Sequence, residues 1–230
     1  MIGIICAMDE EVISLKRKMH VTKQREIAGL NFFIGTVEDK EVAVVRCGIG
    51  KVDAAICTQI LIDLFNVEYV INTGVAGGLH PDLNIEDIVI SSDTVEYDVD
   101  TSVVDPLADE MPDMKKTYFE VNAKLIIAAK AAAEALKGAH KVFIGRVASD
   151  DQFICSMKVK EEIHSTFTAY CAEMEGAAIA HTCFLNQVPF VSMRVISDKA
   201  DQIGDINFEE FVDNSARTAS RMIEGILRTL

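Results

Sequence analysis

Four places in this 230-residue chain set carboxylates, an arginine or clustered glycines directly after apolar runs. They are Met8-Asp9-Glu10-Glu11 after Ile2 to Ala7, Gly74-Val75-Ala76-Gly77-Gly78 after Tyr69 to Thr73, the triplet Glu173-Met174-Glu175, and Arg194 with Ser197-Asp198 around the last apolar run. Short apolar runs of this kind read as buried strands, and in open α/β sheets the ligand lies beyond the carboxyl ends of the strands. Carboxylates gathered there can give and take protons. Each place also has a plainer reading. Asp9 to Glu11 could only complement a helix dipole, and the glycines could only make a tight turn at a strand exit. Glu173 and Glu175 could mark a helix start, and they are expected to diverge so that one faces a cleft. Asp198 could cap a turn. All four together at strand ends of one domain favour a site over four coincidences.

The elements that must position these residues alternate along the chain, short apolar runs with longer amphipathic stretches, as βα units do. Ile2 to Ala7 predicts a buried strand, followed by a helix opening near Asp9. Asn31 to Val37 and Glu41 to Arg46 predict a hairpin turning at Glu38-Asp39-Lys40. Lys51 to Phe65 has helical period; Tyr69 to Thr73 is a strand running into the glycine-rich turn, and Asp87 to Ser91 another. From Thr94 to Glu120 the pattern weakens, and a loop of that length in a compact domain is more often functional than idle. Asn122 is placed to cap a helix reaching Leu136. Strands Val142 to Ala148, Ala169 to Glu173 and Phe190 to Ile196, a helix Glu175 to Asn186 and a last helix from about Phe208 to Leu230 complete a single α/β domain over residues 1–230.

Composition narrows the function. Half the residues are apolar and the net charge is −14, which weighs against nucleic acid and anionic membrane surfaces as partners. The first apolar run is too short for a secretory segment and no stretch approaches a membrane span, so a soluble, cytoplasmic protein is expected. The six cysteines form no CxxC pair and no ligand spacing with the five histidines, so no metal is expected and Cys6, Cys47, Cys57, Cys171 and Cys183 read as small hydrophobes.

Six segments carry a resemblance: Gly3-Ile4-Ile5-Cys6-Ala7-Met8-Asp9-Glu10-Glu11-Val12, Cys47-Gly48-Ile49-Gly50-Lys51-Val52, Asn72-Thr73-Gly74-Val75-Ala76-Gly77-Gly78, Phe153-Ile154, Ala172-Glu173-Met174-Glu175-Gly176 and Arg194-Val195-Ile196-Ser197-Asp198. In order and from end to end, they resemble the signature segments of the 5′-methylthioadenosine/S-adenosylhomocysteine nucleosidases, within the nucleoside phosphorylase superfamily. The resemblance implies a three-layer α/β/α sandwich around a mixed central sheet, a homodimer, a nucleoside substrate and no cofactor. It implies that Glu11 is the base on the attacking water and Asp198 the acid on purine N7. It implies that Glu175 holds the ribose hydroxyls with Met174 against the sugar, that Phe153 stacks on adenine, and that Ile154 offers its backbone to the base edge. Met8, Ile49, Arg194, Ser197 and Phe208 then line the pocket, with Val75, Ala76, Gly77 and Glu173 also against the substrate. Val75 stands where the family often has serine. The segment from Tyr97 to Leu107 departs from the commonest family pattern, which is aromatic-rich and reaches the neighbouring subunit's 5′ pocket, although Val103, Val104 and Leu107 keep it apolar.

The chemistry asks for these groups. Breaking an N-glycosidic bond builds positive charge on the sugar and negative charge on a purine that leaves poorly unless protonated. Burial, which favours the protonated form of a carboxylic acid, suits Asp198 because it follows an apolar strand. Water is a weak nucleophile until a carboxylate draws off its proton. Phosphorolysis is the rival chemistry, but phosphorylases hold phosphate with arginines, one of them where this chain has Asn72, and Glu11 would repel a phosphate dianion. The remaining alternatives are a purine nucleoside phosphorylase, a nucleosidase with another 5′ preference such as a futalosine-type extension, and a nucleoside-binding protein without turnover.

Overall fold

A computed structural model describes residues 1–99, 118–138, 140–201 and 208–230, of which 208–213 by backbone alone. Val103, Val104, Leu107 and the side chain of Phe208 therefore lie outside the described residues. In chain order the elements are β1 (Ile2–Cys6), α1 (Asp9–Lys16), β2 (His20–Ile27), β3 (Leu30–Val37), β4 (Lys40–Arg46), α2 (Lys51–Phe65), β5 (Tyr69–Gly78), β6 (Ile88–Glu96), β7 (Tyr118–Glu120), α3 (Ala123–Glu134), β8 (Val142–Ser149), α4 (Met157–Phe167), β9 (Ala169–Glu173), α5 (Gly176–Leu185), β10 (Phe190–Asp198) and α6 (Phe208–Thr229).

The fold is α/β around one mixed sheet, as the alternation requires. β1 lies parallel between β4 and β5, and β3 and β2 extend that edge antiparallel. At the other end β5 pairs with β10 in parallel and with β9 antiparallel, while β10, β6, β8 and β9 pair in succession. These pairings make a closed circuit, so half of the sheet curls on itself instead of ending in an open edge. Helices α1 and α3 both pack on α6, and α2 packs on α5. Because β1, β5 and β10 are covered by them, their side chains are buried almost throughout, and they read as continuous apolar runs. Among the described residues no helix is long and apolar enough to cross a membrane.

Several expectations are corrected. The glycine-rich segment is not a turn: β5 runs on through Gly78, and no glycine in it has positive φ. Its glycines serve close approach, because a Cβ on Gly74 would sit 3.4 Å from Glu11 Oε1 and one on Gly77 would sit 3.0 Å from Asp198 Oδ1. Three elements also arise that the pattern did not mark: β7, three residues at the end of the stretch expected to be a loop and paired with β6, together with β2 and α4. β2 is almost wholly exposed and shows no clear alternation, and it forms because β3 offers an edge. α4 packs through a short stripe, Val159, Ile163 and Phe167, of which only Ile163 is fully buried, and charged residues lie between them. Elsewhere the expectations hold closely. α2 spans Lys51–Phe65, and the Asn122 side chain caps α3 by accepting the Lys124 N–H at 3.0 Å.

Candidate active site

The sheet register brings the four strand ends together. Gly77 of β5 pairs with Asp198 on one side and with Ala172 of β9 on the other, while Cys6, the last residue of β1, pairs with Thr73. Around this junction opens a partly enclosed, largely apolar cleft, the kind of concavity that takes small molecules. Met8 and Glu11 line it from the start of α1, Val75, Ala76 and Gly77 from β5, Ile49 from ahead of α2, Glu173 from the end of β9, Met174 and Glu175 from the link to α5, and Arg194 and Ser197 from β10. A smaller hollow adjoins it, bounded by Gln152, Phe153, Ile154, Asp198 and again Gly77. Every expected site residue with a described side chain thus borders the cleft or the hollow beside it. Thr73, Gly74 and Ala172 border the cleft too, and the buried Thr73 hydroxyl has no partner among the described residues. The only sequence signal for Thr73 was its place at the end of an apolar run.

Glu11 sits in the first turn of α1, where its carboxylate accepts the N–H groups of Ala7 and Met8, each at 3.1 Å. It is 3% exposed. That burial pushes its pKa up to about 7, against the pull of those N–H groups and of Arg194. A carboxyl balanced there can take a proton at neutral pH. Asp198 is fixed by two donors, the Ser197 hydroxyl to Oδ2 and the Ala200 N–H to Oδ1, both at 2.7 Å. Glu11 approaches Gly74 and Asp198 approaches Gly77, three residues along an extended strand, so their stations are roughly 10 Å apart. That span accommodates a water, a glycosidic bond and a fused ring between them.

Glu173 and Glu175 do not diverge, because β9 ends at Glu173 and Glu175 already caps α5. Both border the cleft, in different states. Arg194, fully buried, donates to Glu173 Oε2 at 2.5 Å, and the N–H groups of Glu175 and Gly176 and the Ser149 hydroxyl also bond that carboxylate. Burial alone would raise the Glu173 pKa, but Arg194 and the hydrogen bonds override it and hold it below the usual range. Glu175 accepts the Gly50 N–H at 2.9 Å, and burial, with the Glu173 charge adding to it, pushes it up to about 7. Arg194 also donates to Asn72 Oδ1, which accepts the Ser192 hydroxyl at 3.1 Å. Its charge is matched by Glu173, so among the described residues the cleft presents three glutamates and one arginine already paired. The cleft suits a neutral or cationic ligand better than a phosphate dianion. The described residues include no group of His, Cys, Asp and Glu fit to hold a metal.

Comparison with known proteins accords with this arrangement. The family model described as "Phosphorylase superfamily" matches residues 1–228. The 5′-methylthioadenosine/S-adenosylhomocysteine nucleosidase of Staphylococcus epidermidis is 39% identical over 231 residues, covering 100% of both chains. The crystal structure of the nucleosidase of that name from Neisseria meningitidis, in complex with methylthio-immucillin-A, superposes with a TM-score of 0.93 at 36% identity, covering 100% of this chain and 99% of that one. Futalosine hydrolase of Helicobacter pylori superposes with a TM-score of 0.91 at 34% identity, covering 100% of this chain and 97% of that one.

Proposed function

Because the chain belongs to the 5′-methylthioadenosine/S-adenosylhomocysteine nucleosidase family of the phosphorylase superfamily, we propose that it hydrolyses the N-glycosidic bond of those two nucleosides, releasing adenine and the 5′-thioribose. The observation that carries the reading is the pair of stations along β5: a buried Glu11 with a pKa of about 7 at Gly74, and Asp198 at Gly77. Asp198 gives its proton to purine N7, which turns adenine into a neutral leaving group. Glu11 takes a proton from the water that attacks C1′. Positive charge developing on the ribose is favoured by the surrounding carboxylates, and Glu175, held by the Gly50 N–H, receives the ribose hydroxyls. Met174 packs against the sugar. Phe153, 63% exposed, stacks on adenine, and the Ile154 backbone meets the base edge. Met8, Ile49 and Ser197 complete the walls.

Water, not phosphate, is the acceptor in this reading, supported by the three glutamates and by the pairing of Arg194 with Glu173. A second reading keeps the chemistry and changes the 5′ group, favoured by the likeness to a futalosine hydrolase. The protein works as a homodimer: Ile49, Val52 and Ile56 form an exposed apolar stripe beside the cleft at helical spacing, and sedimentation of an active monomer would overturn this. A cytoplasmic setting is supported by six cysteines that are all free.

The roles are tested by Asp198→Asn and Glu11→Gln. Each should lower turnover by ~10²–10⁴ while adenine still binds. Loss of less than about tenfold in either would remove that residue from its role.

A further inference from the structure

The base-binding end of the cleft is assembled from segments far apart in sequence. Phe153 and Ile154 lie just ahead of α4, whereas Asp198 ends β10. The turn that follows Asp198 is held by two lysines. Lys160, on α4, donates its ammonium to the carbonyl oxygen of Lys199. Lys199 in turn donates its ammonium to the carbonyl oxygen of Leu83. Within the same turn Ala200 adopts φ 54°, a left-handed conformation that a residue with a Cβ keeps only when its surroundings impose it. Its N–H is the donor to Asp198 Oδ1 at 2.7 Å. On the far side Gly77 leaves room, since a Cβ there would stand 3.0 Å from both Ala200 Cβ and Asp198 Oδ1. The Asp198 carboxyl is therefore aimed by a turn in an unfavourable backbone conformation, and that turn is fastened from outside the cleft.

We infer that Lys160 is a positioning residue for the proton donor: its bond to the Lys199 carbonyl ties α4, and with it the Phe153-Ile154 wall, to the turn that aims Asp198. This rests on the reading of Asp198 as the general acid. Lys160 borders neither the cleft nor the adjoining hollow, so it acts through Lys199 and Ala200 and not on the substrate. α4 packs through Val159, Ile163 and Phe167, of which only Ile163 is fully buried, so its N-terminal end, where Lys160 lies, depends on further ties. Without the Lys160 ammonium the turn keeps, of its two lysine ties, only that of Lys199 to Leu83, and Ala200 can relax out of the left-handed region. The Ala200 N–H would then swing away from Oδ1, while the binding walls of the ribose end, built on β5, β9 and α2, stay in place.

The test uses two substrates that differ in whether departure needs a proton. One is 5′-methylthioadenosine; the other is a 5-methylthioribofuranoside of 4-nitrophenol, whose nitrophenolate leaves unassisted. Lys160→Met deletes the donor and keeps the stem, Lys160→Arg restores a cationic donor, and Lys160→Gln is measured alongside so that one variant's folding does not decide the matter. Lys160→Met and Lys160→Gln should each lower kcat for adenine release by about tenfold with KM within about twofold, since misplacing a reacting group costs rate more than binding. Nitrophenolate release should stay within about twofold, and Lys160→Arg should recover most of the lost rate. Full adenine kcat in both donor-deleted variants, or equal loss on both substrates, would overturn the inference. Asp198→Asn separates this from failure of the acid reading: that reading stands if the variant loses adenine release and spares nitrophenolate release, and falls if it does not.

Discussion

Glu11→Gln should make the protein more stable while making it inactive, and the gain should grow with pH. Folding takes this carboxyl from water into a site where it is 3% exposed, and its pKa rises from 4.5 to about 7. A group whose pKa is raised on folding contributes stability that is fully present below the unfolded value and is lost as pH rises through the folded value. The loss here is complete above about pH 8. With 1.36 kcal/mol per unit, the total is about 3 kcal/mol, of which about 2 kcal/mol falls between pH 5.5 and pH 8.5. Glutamine keeps the shape, and its amide oxygen can accept the Ala7 and Met8 N–H groups that the carboxylate accepts at 3.1 Å. It carries no charge to desolvate, and Arg194 remains paired with Glu173. Urea unfolding of parent and variant at the two pH values should therefore show the variant's advantage growing by about 2 kcal/mol, as adenine release collapses. An advantage that does not change with pH, or that shrinks, would mean that the carboxylate is not held unfavourably in the folded protein, and would undo the argument that it is a base poised near neutrality.

Three further outcomes follow from the same geometry. The profile of kcat/KM should rise with pH through about 7, because Glu11 must be ionised to act and Glu175 titrates in the same range; a flat profile from about pH 5.5 to 8 would contradict both assignments. Gly77→Ala should lower kcat by about tenfold or more through the contact of its methyl with Asp198 Oδ1 and Ala200 Cβ, each 3.0 Å away, and a crystal structure with Asp198 unmoved would refute that cause. Glu173→Gln leaves the Arg194 charge buried and unmatched, so chemical unfolding should show a loss of about 3–5 kcal/mol; a loss below about 1 kcal/mol would mean that the pair is solvated.

Much of the fold was legible because its central strands are covered by helices and so spell continuous apolar runs. Ile2 to Ala7, Tyr69 to Thr73 and Phe190 to Ile196 all became strands within a few residues of the expected ends. β2 was not legible because it buries no apolar face and forms on the edge that β3 supplies, and α4 because its stripe of Val159, Ile163 and Phe167 is short and interrupted by charges. The glycine segment misled for a physical reason: glycine in sequence suggests positive φ, whereas here it answers to carboxylates approaching an extended strand. The site itself was visible as four strand ends with polar residues, although nothing local shows that Gly77 pairs with both Asp198 and Ala172. Equally hidden was the division of labour between Glu173 and Glu175, since it depends on Arg194, nineteen or more residues away, and on the N–H of Gly50.

The central claim is hydrolysis of a 5′-thio nucleoside, and it is tested most directly by adenine release in ¹⁸O-labelled water, with and without phosphate, from 5′-methylthioadenosine, S-adenosylhomocysteine and adenosine. The account predicts release that is independent of phosphate, with the label in the sugar hydroxyl at C1. It also predicts a preference of ~10–200-fold for the thio nucleosides over adenosine, set by burial of an apolar 5′ group. Release that requires phosphate, with an unlabelled sugar phosphate as product, would contradict it.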